Sequence, residues 1–310
     1  MKKKIFITGG TGMLGINLIH RLLKENYKLY VIYRNKKKLY PFKSIKKKIN
    51  FVKLDLLNYS KLNKVIKKIK PDIVYHLASS YFNPPDLDLN DHINNNFFIT
   101  LNLLESLKKL NIDKFIFSGS AAVYGNGQNL SEKKNYAFKS DYGLSKLLCS
   151  KLLIQHNNLH NFPCIELRFF SIYGDWEKKN RLVRGAISSA LRKKRFNLLS
   201  KDQNRDYIYV ADAVEALIVA SKKNNIKGIF NICSAKKQST HKLVRIIYKK
   251  INLKKNNIKS HFNVKTNIMQ ESVGNNLKAK KILKWKPKFS IDDGLSKTIS
   301  WVKNNTIHEN

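Results

Sequence analysis

Cysteine is scarce in this chain: Cys149, Cys164 and Cys233 are the only three among 310 residues, and each stands alone. Without a Cys-x-x-Cys pair, neither a disulfide framework nor a zinc knuckle is indicated, and a reducing cytoplasm is the expected compartment. No apolar run approaches the roughly 20 residues that a membrane-spanning helix needs, so no membrane partner is expected. The start, Met1-Lys2-Lys3-Lys4 before Ile-Phe-Ile, imitates a secretion leader, but Gly9, Gly10 and Gly12 break the apolar stretch at once. It reads as a first β-strand. Neither Gly-x-Ser-x-Gly nor His-Glu-x-x-His occurs, which excludes a nucleophile elbow and that zinc motif. His156 and His160 lack the accompanying Glu and read as a solvated helix face, so no metal is expected. There is no internal repeat and no low-complexity tail.

Acidic residues are also few: 21 against 60 basic ones, a formal net charge of +39. Such an excess raises the prospect of a nucleic-acid or anionic-membrane partner. Its placement argues for compositional drift towards Lys, Asn and Ile instead. Within Lys61–Lys70, Leu62, Val65, Ile66 and Ile69 form one helical stripe and the lysines fill the solvated side. Lys36–Lys38 and Lys46–Lys48 read as exposed loop or strand edge. Nucleic acid is therefore not the expected partner.

Through the first half, short apolar segments alternate with helical ones. Strands are expected at Lys4–Thr8, Lys28–Tyr33, Asn50–Leu54, Asp72–Leu77, Lys114–Ser118, Cys164–Phe169 and Gly228–Ile232. Helices are expected at Gly12–Glu25, Lys61–Lys70, Asp91–Leu110 and Asp141–His160. That alternation predicts an α/β fold: a doubly wound, Rossmann-type parallel sheet with ligands at the carboxyl ends of its strands. The second half is less regular. It reads as a smaller substrate-binding lobe of residues 171–204 and 233–310, with 1–170 and 205–232 forming the cofactor-binding domain. Two helices carry more apolar residues than one buried face needs: Phe97, Phe98, Leu101, Leu104 and Leu107 on one, Leu144, Leu147, Leu148, Leu152 and Leu153 on the other. A homodimer paired through these helices would use the surplus.

The loop Thr8-Gly9-Gly10-Thr11-Gly12-Met13-Leu14-Gly15 joins the first strand to the first helix. Glycines there permit a tight turn, and the helix N-terminus offers free N–H groups to a pyrophosphate. Gly9, Gly12, Met13, Leu14 and Gly15 are thus candidate dinucleotide-binding residues. The second strand ends at Arg34 and lacks the acidic residue that would hold the ribose 2′-hydroxyl of NAD. Arg34 can pair with a 2′-phosphate, which tips the expectation from NAD to NADP. Asp55 and Leu56 follow the third strand, where Asp55 would accept from the adenine amino group or cap the next helix. Leu77, Ala78 and Ser79 end the fourth strand close to the cofactor, beside His76, which reads as a satisfied core histidine. Ser120 ends the fifth strand; Tyr142 and Lys146 lie four apart on one helical face. A cation beside a phenol favours the phenolate, making the pair a device for moving protons. Together these residues describe a hydride-transfer site: Ser120 bonds the substrate oxygen, Tyr142 exchanges its proton, and Lys146 supports Tyr142 and the nicotinamide ribose.

At this point the chain resembles the extended short-chain dehydrogenase/reductase family, in its nucleotide-sugar epimerase/dehydratase branch. The segments carrying the resemblance are the glycine loop, Ser118–Gly125, Tyr142-Gly-Leu-Ser-Lys146, Arg168–Gly174, Arg205–Asp212, and the closing Lys280–Pro287 with Gly294–Trp301. It implies a nucleotide-diphosphate sugar as substrate, its diphosphate gripped by Arg205 with Arg181 or Arg184. Sugar dehydratases of the family carry an Asp-Glu pair after the active-site hydroxyl residue; Ala121-Ala122 stand here, which argues against water elimination. Ser171 takes the place of a substrate-contacting Asn, and Cys233 that of a Gly. Two activities fit: a 4-keto-sugar reductase using NADPH, to which Arg34 tips the reading, and a UDP-glucose 4-epimerase-like enzyme. A family member that lost catalysis and holds RNA is a third, which the intact Ser120, Tyr142 and Lys146 oppose.

Overall fold

Alternate residues of the first strand enter different cores. In the computed structural model, which describes residues 2–80, 87–198, 203–252, 258–260 and 271–305, strand β1 (Lys4–Thr8) sends Ile5 and Ile7 to one face and Phe6 to the other. Both faces are buried, which is why the strand is apolar throughout. The strands that follow are β2 (Lys28–Tyr33), β3 (Asn50–Lys53), β4 (Ile73–His76), β5 (Lys114–Ser120), β6 (Cys164–Phe169) and β7 (Gly228–Ile232); β4, β5 and β6 are buried likewise, while β3, at the edge of the sheet, has no fully buried residue. All pair in parallel, in the order β7-β6-β5-β4-β1-β2-β3. The chain starts at β1, winds out to β3, then returns to β4 on the other side. The carboxyl ends of β1 and β4 therefore diverge and open a crevice, the ligand position of doubly wound sheets.

The crossovers and lobe helices are α1 (Met13–Leu22), α2 (Tyr59–Ile69), α3 (Leu89–His92), α4 (Ile99–Leu107), α5 (Asp141–His160), α6 (Leu182–Leu191), α7 (Val210–Lys222), α8 (Thr240–Lys250) and α9 (Ile291–Asn305). Leu18 and Ile19 of α1 and Leu217 of α7 cover one face of the sheet. Leu62 and Ile66 of α2, Leu103 and Leu104 of α4, and Leu153 of α5 cover the other. A π turn, Ile93–Phe98, separates α3 from α4 inside what the sequence pattern reads as one helix. Lys36–Lys48 forms consecutive 3₁₀ turns that bury Phe42 and leave Lys36–Lys38 and Lys46–Lys48 exposed, as expected.

Beyond the main sheet, Ser171–Tyr173 pairs in parallel with Tyr207–Tyr209. A four-stranded sheet runs Gln238–Ser239, Asn204–Arg205, Glu271–Gly274, Gly127–Leu130. Helices α6, α8 and α9 pack beside these strands through Val183, Ile187, Leu243, Ile247, Leu295 and Ile299. Parts of the expected substrate lobe, 199–202, 253–257, 261–270 and 306–310, lie outside the described residues. No helix among the described residues is long and apolar enough to cross a membrane.

Candidate active site

The glycine loop lies against the carboxyl end of β4. Gly9 takes φ +68°, and a Cβ there would stand 2.4 Å from the amide nitrogen of Ala78. A Cβ on Gly15 would stand 2.4 Å from the Gly9 carbonyl oxygen, so the first turn of α1 is pressed onto the loop. Gly12 is the N-cap of α1 and supplies no side-chain acceptor, which leaves the helix's first N–H groups to an outside ligand. A Cβ on Gly12 would meet only the Gly9 oxygen, at 3.4 Å, so this side of the loop is open. The cradle fits a dinucleotide pyrophosphate, bounded by Gly9, Gly12, Met13, Leu14, Gly15, Leu77 and Ala78. Thr8 Oγ1 accepts from the Ala78 amide at 3.2 Å and locks the two strand ends together.

His76 is fully buried between Thr8 Oγ1, 2.6 Å from Nδ1, and Thr100 Oγ1, 2.9 Å from Nε2. Burial drives its pKa down to about 3, so the ring is neutral, the core histidine that the sequence leads one to expect. Asp55 is exposed past β3, and its Oδ1 accepts from the Leu57 amide at 3.0 Å. The cap of α2 is instead Asn58, whose Oδ1 accepts from Lys61, so the capping alternative for Asp55 falls. Leu56 is buried in the α2-side core, and its carbonyl accepts from Asn102 Nδ2. Arg34 is exposed and donates from Nη1 to Asn95 Oδ1 at 3.2 Å.

The residues expected to transfer protons, Ser120, Tyr142 and Lys146, lie where β5 ends and α5 begins. Ser120 Oγ accepts from the Ala122 amide at 3.1 Å and starts a 3₁₀ turn, Ala121–Val123. Ser140 caps α5, accepting from the Gly143 amide at 3.1 Å. The first turn of α5 sits so closely on that 3₁₀ turn that a Cβ on Gly143 would lie 2.9 Å from the Ala122 oxygen. This contact brings Tyr142 to the Ser120 end of β5. Lys146, one turn further on, is 2% exposed; its ammonium donates to the Ser118 carbonyl at 2.7 Å and lies 4.4 Å from the Phe117 ring centre. The Tyr142 ring meets His92 edge-on, with centroids 5.9 Å apart and planes at 70°.

Beneath this corner, Arg168 is fully buried. It donates from Nε to Glu166 Oε1 at 2.8 Å, from Nη1 to Tyr124 Oη at 2.8 Å and from Nη2 to Ser150 Oγ at 2.8 Å. These bonds tie β6, the loop after Ser120 and the middle of α5 to one guanidinium.

The expected substrate residues fall into two groups. The Ser171 amide donates to the Asp206 carbonyl at 2.9 Å, which places Ser171 beside the segment that follows Arg205. Burial lowers the pKa of Arg205, and its buried Nη1 has no hydrogen-bond partner among the described residues. Tyr207 is pushed up to about 12 by burial, against its hydrogen bond to Thr240 and the positive charge of Arg205 and Arg181. Arg184 is different: its guanidinium is buried 5.1 Å over Trp301, inside the lobe. Arg181 and Arg205, by contrast, are only partly buried. His156 is buried rather than solvated, packed edge-on against Phe162. No group of three metal-ligating side chains occurs among the described residues.

Sequence reasoning missed His92, Asn96 and Thr100. All three are buried, and they join the two halves of the site. Their spacing, i, i+4 and i+8, puts them on one helical face, but Asn90, Asp91, Asn94 and Asn95 stand among them, so nothing in the local pattern marks that face as the buried one.

Fold and site together define a Rossmann-type enzyme that binds a nicotinamide dinucleotide. Residues 5–233 match the NAD dependent epimerase/dehydratase family, and the chain belongs to it. It is similar to a putative UDP-glucose 4-epimerase of Methanocaldococcus jannaschii, 26% identical with 97% of this chain and 99% of that one covered. Among solved structures, it superposes on the UDP-glucose 4-epimerase of Thermotoga maritima with a TM-score of 0.90 at 22% identity, covering 98% and 99% of the two chains. It superposes on the UDP-glucuronic acid 4-epimerase of Bacillus cereus, solved with UDP-glucuronic acid and NAD, with a TM-score of 0.88 at 26% identity, covering 97% and 99%. The cofactor there is NAD, so the NADP preference drawn from Arg34 has no support; Arg34 instead reaches Asn95.

Proposed function

We propose that the protein is a nucleotide-sugar 4-epimerase acting on UDP-hexoses with NAD as a resident cofactor. The observation that carries this reading is the turn after Ser120, at the corner of Tyr142 and Lys146, which holds alanines in place of an acidic pair. Ala121 and Ala122 fill the turn after Ser120, and the nearby buried carboxylate, Glu166, is engaged by Arg168 and Ser150. Water elimination needs an acid and a base; this corner offers one proton carrier.

The nicotinamide, when bound, supplies a hydride acceptor and donor. Tyr142 takes the proton from the sugar 4-hydroxyl and returns it to the same oxygen once the keto sugar has turned its other face to the nicotinamide. Lys146, held by the Ser118 carbonyl, supplies its ammonium beneath the site, where it would steady the nicotinamide ribose. Ser120 donates to the same sugar oxygen. Arg205 and Arg181 hold the diphosphate, so the sugar can turn while its anchor stays. The orphan donor on Arg205 supports this, because a buried N–H without an acceptor is costly until an anion meets it. The relatives named above support the epimerase over the 4-keto-sugar reductase to which Arg34 points in the sequence. A cytoplasmic location belongs to the same reading, with its three buried free thiols.

The test is direct. Purified protein with no added cofactor should interconvert UDP-glucose and UDP-galactose, or their acidic or N-acetylated counterparts, and release NAD on denaturation. Tyr142→Phe should lose at least about a thousandfold in turnover while keeping the cofactor. Consumption of NADPH with 4-keto sugars, without interconversion, would return the assignment to a reductase.

A further inference from the structure

The helix carrying His92, Asn96 and Thr100 packs into the core, yet those residues are 4%, 1% and 0% exposed and all polar. Their bonds explain the burial. Asn96 Oδ1 accepts from the Ser80 amide at 2.8 Å, which forces its amide group to face the other way. Asn96 Nδ2 donates there to Ser80 Oγ at 2.9 Å and Ser145 Oγ at 2.8 Å. Ser145 Oγ donates to the Tyr142 carbonyl at 2.8 Å. Ser80 Oγ also lies 2.7 Å from His92 Nδ1, and the His92 ring lies edge-on to Tyr142.

Tyr142 sits on the first turn of α5, where the backbone directs its Cβ but leaves the ring torsion broad. An edge-to-face neighbour can bias one orientation by up to about tenfold. We propose that His92 is a positioning residue: anchored by Ser80, it braces the Tyr142 ring and fixes the direction of the phenol towards the sugar oxygen. The proposal rests on Tyr142 being the proton carrier, and it adds a residue that neither the glycine loop nor the Tyr-x-x-x-Lys spacing discloses.

Three variants test it: Ser80→Ala, His92→Ala and His92→Phe. Each is read by steady-state kinetics and by the aromatic NMR signal of Tyr142 in ¹³C-tyrosine-labelled protein, assigned through Tyr142→Phe. Ser80→Ala leaves both rings in the protein and removes only the hydroxyl that anchors His92, yet it should displace the Tyr142 signal. With His92→Ala it should lower kcat roughly tenfold and leave KM within about twofold. His92→Phe keeps the edge contact without the hydrogen bond and should recover part of the loss. A Tyr142 signal that stays in place in Ser80→Ala and His92→Ala overturns the proposal, as does a loss confined to KM. A displaced signal in a protein that turns over no UDP-sugar supports the bracing and sinks the epimerase assignment instead.

Discussion

At the scale of single residues, Gly9 carries the firmest constraint in the cofactor cradle. Its φ of +68° disfavours any L side chain, and its missing Cβ would fall 2.4 Å from the Ala78 nitrogen and the Leu77 carbonyl carbon. Both obstacles are backbone, so they cannot swing aside. Gly9→Ala should push the loop off β4 and abolish retained NAD, measured by release on denaturation, before it unfolds the protein. Arg168 and Glu166 make a second prediction. Both are buried, 0% and 2% exposed, and the guanidinium is otherwise matched by hydroxyls. Glu166→Gln leaves a buried cation without its counter-charge and should cost about 3–5 kcal/mol in urea denaturation. The legibility of these residues differs for a physical reason. Gly9, Ser120, Tyr142 and Lys146 declare themselves because each chemistry demands one residue type at a fixed spacing. His92 and Asn96 act through partners at Ser80 and Ser145, 12 and 49 positions away, and no local spacing encodes such a pairing.

At the scale of elements, alternation made the first half legible. Most of its strands are apolar on both faces and helices such as α2 are amphipathic, so the boundaries fall within a few residues of expectation, while α5, on Asp141–His160 as expected, is marked by its Ser140 cap and its length. The second half hid its order in two ways. Strands such as Asn204–Arg205 and Gln238–Ser239 are too short to show a period. Helix α7 buries Val210, Ala213, Val214, Ala216, Leu217, Ile218 and Ala220, so it has no polar stripe to mark a face. The connection before α6 holds a titration prediction. Glu177 accepts from the Arg184 amide at 3.2 Å, and burial raises its carboxyl to about 7, against the pull of Arg181. The folded state therefore binds this proton more tightly than the unfolded chain. The stability it confers is present below the ordinary pKa of 4.5 and is lost as pH rises through about 7. Glu177→Gln keeps the carbonyl acceptor and removes the titration. Its stability should match wild type near pH 4 and exceed it by about 3 kcal/mol near pH 8. Parallel wild-type and variant curves across that window would contradict the assignment.

At the scale of the whole molecule, two surfaces compete for explanation: a charge of +39 and an apolar remainder on two helices. The charge is dispersed along amphipathic helices such as α2, whose buried stripe leaves its lysines to solvent. RNA should accordingly bind weakly and without sequence preference, with an affinity that collapses as salt rises. The apolar surplus divides on inspection. Leu104, Leu107 and Leu153 lie in the core, and Phe97 and Leu152 pack partly against it. Phe98 and Leu148 remain 43% and 37% exposed, and Leu159 on the same helix is 65% exposed. Leu148 and Leu159 are eleven residues apart, close to three helical turns, so they share one stripe of α5. A stripe of that kind beside Phe98 is costly to leave in water and suits a two-fold pairing of α5 with its copy. Light scattering should give twice the 36.0 kDa chain mass. Leu148→Glu with Leu159→Glu should halve it, because two carboxylates per chain would then face their own copies across the axis. The active-site corner lies on the first turns of the same helix, so monomerisation should loosen Tyr142 and lower kcat before it affects NAD retention. A wild-type monomer with full turnover would refute the pairing and leave those leucines as ordinary surface.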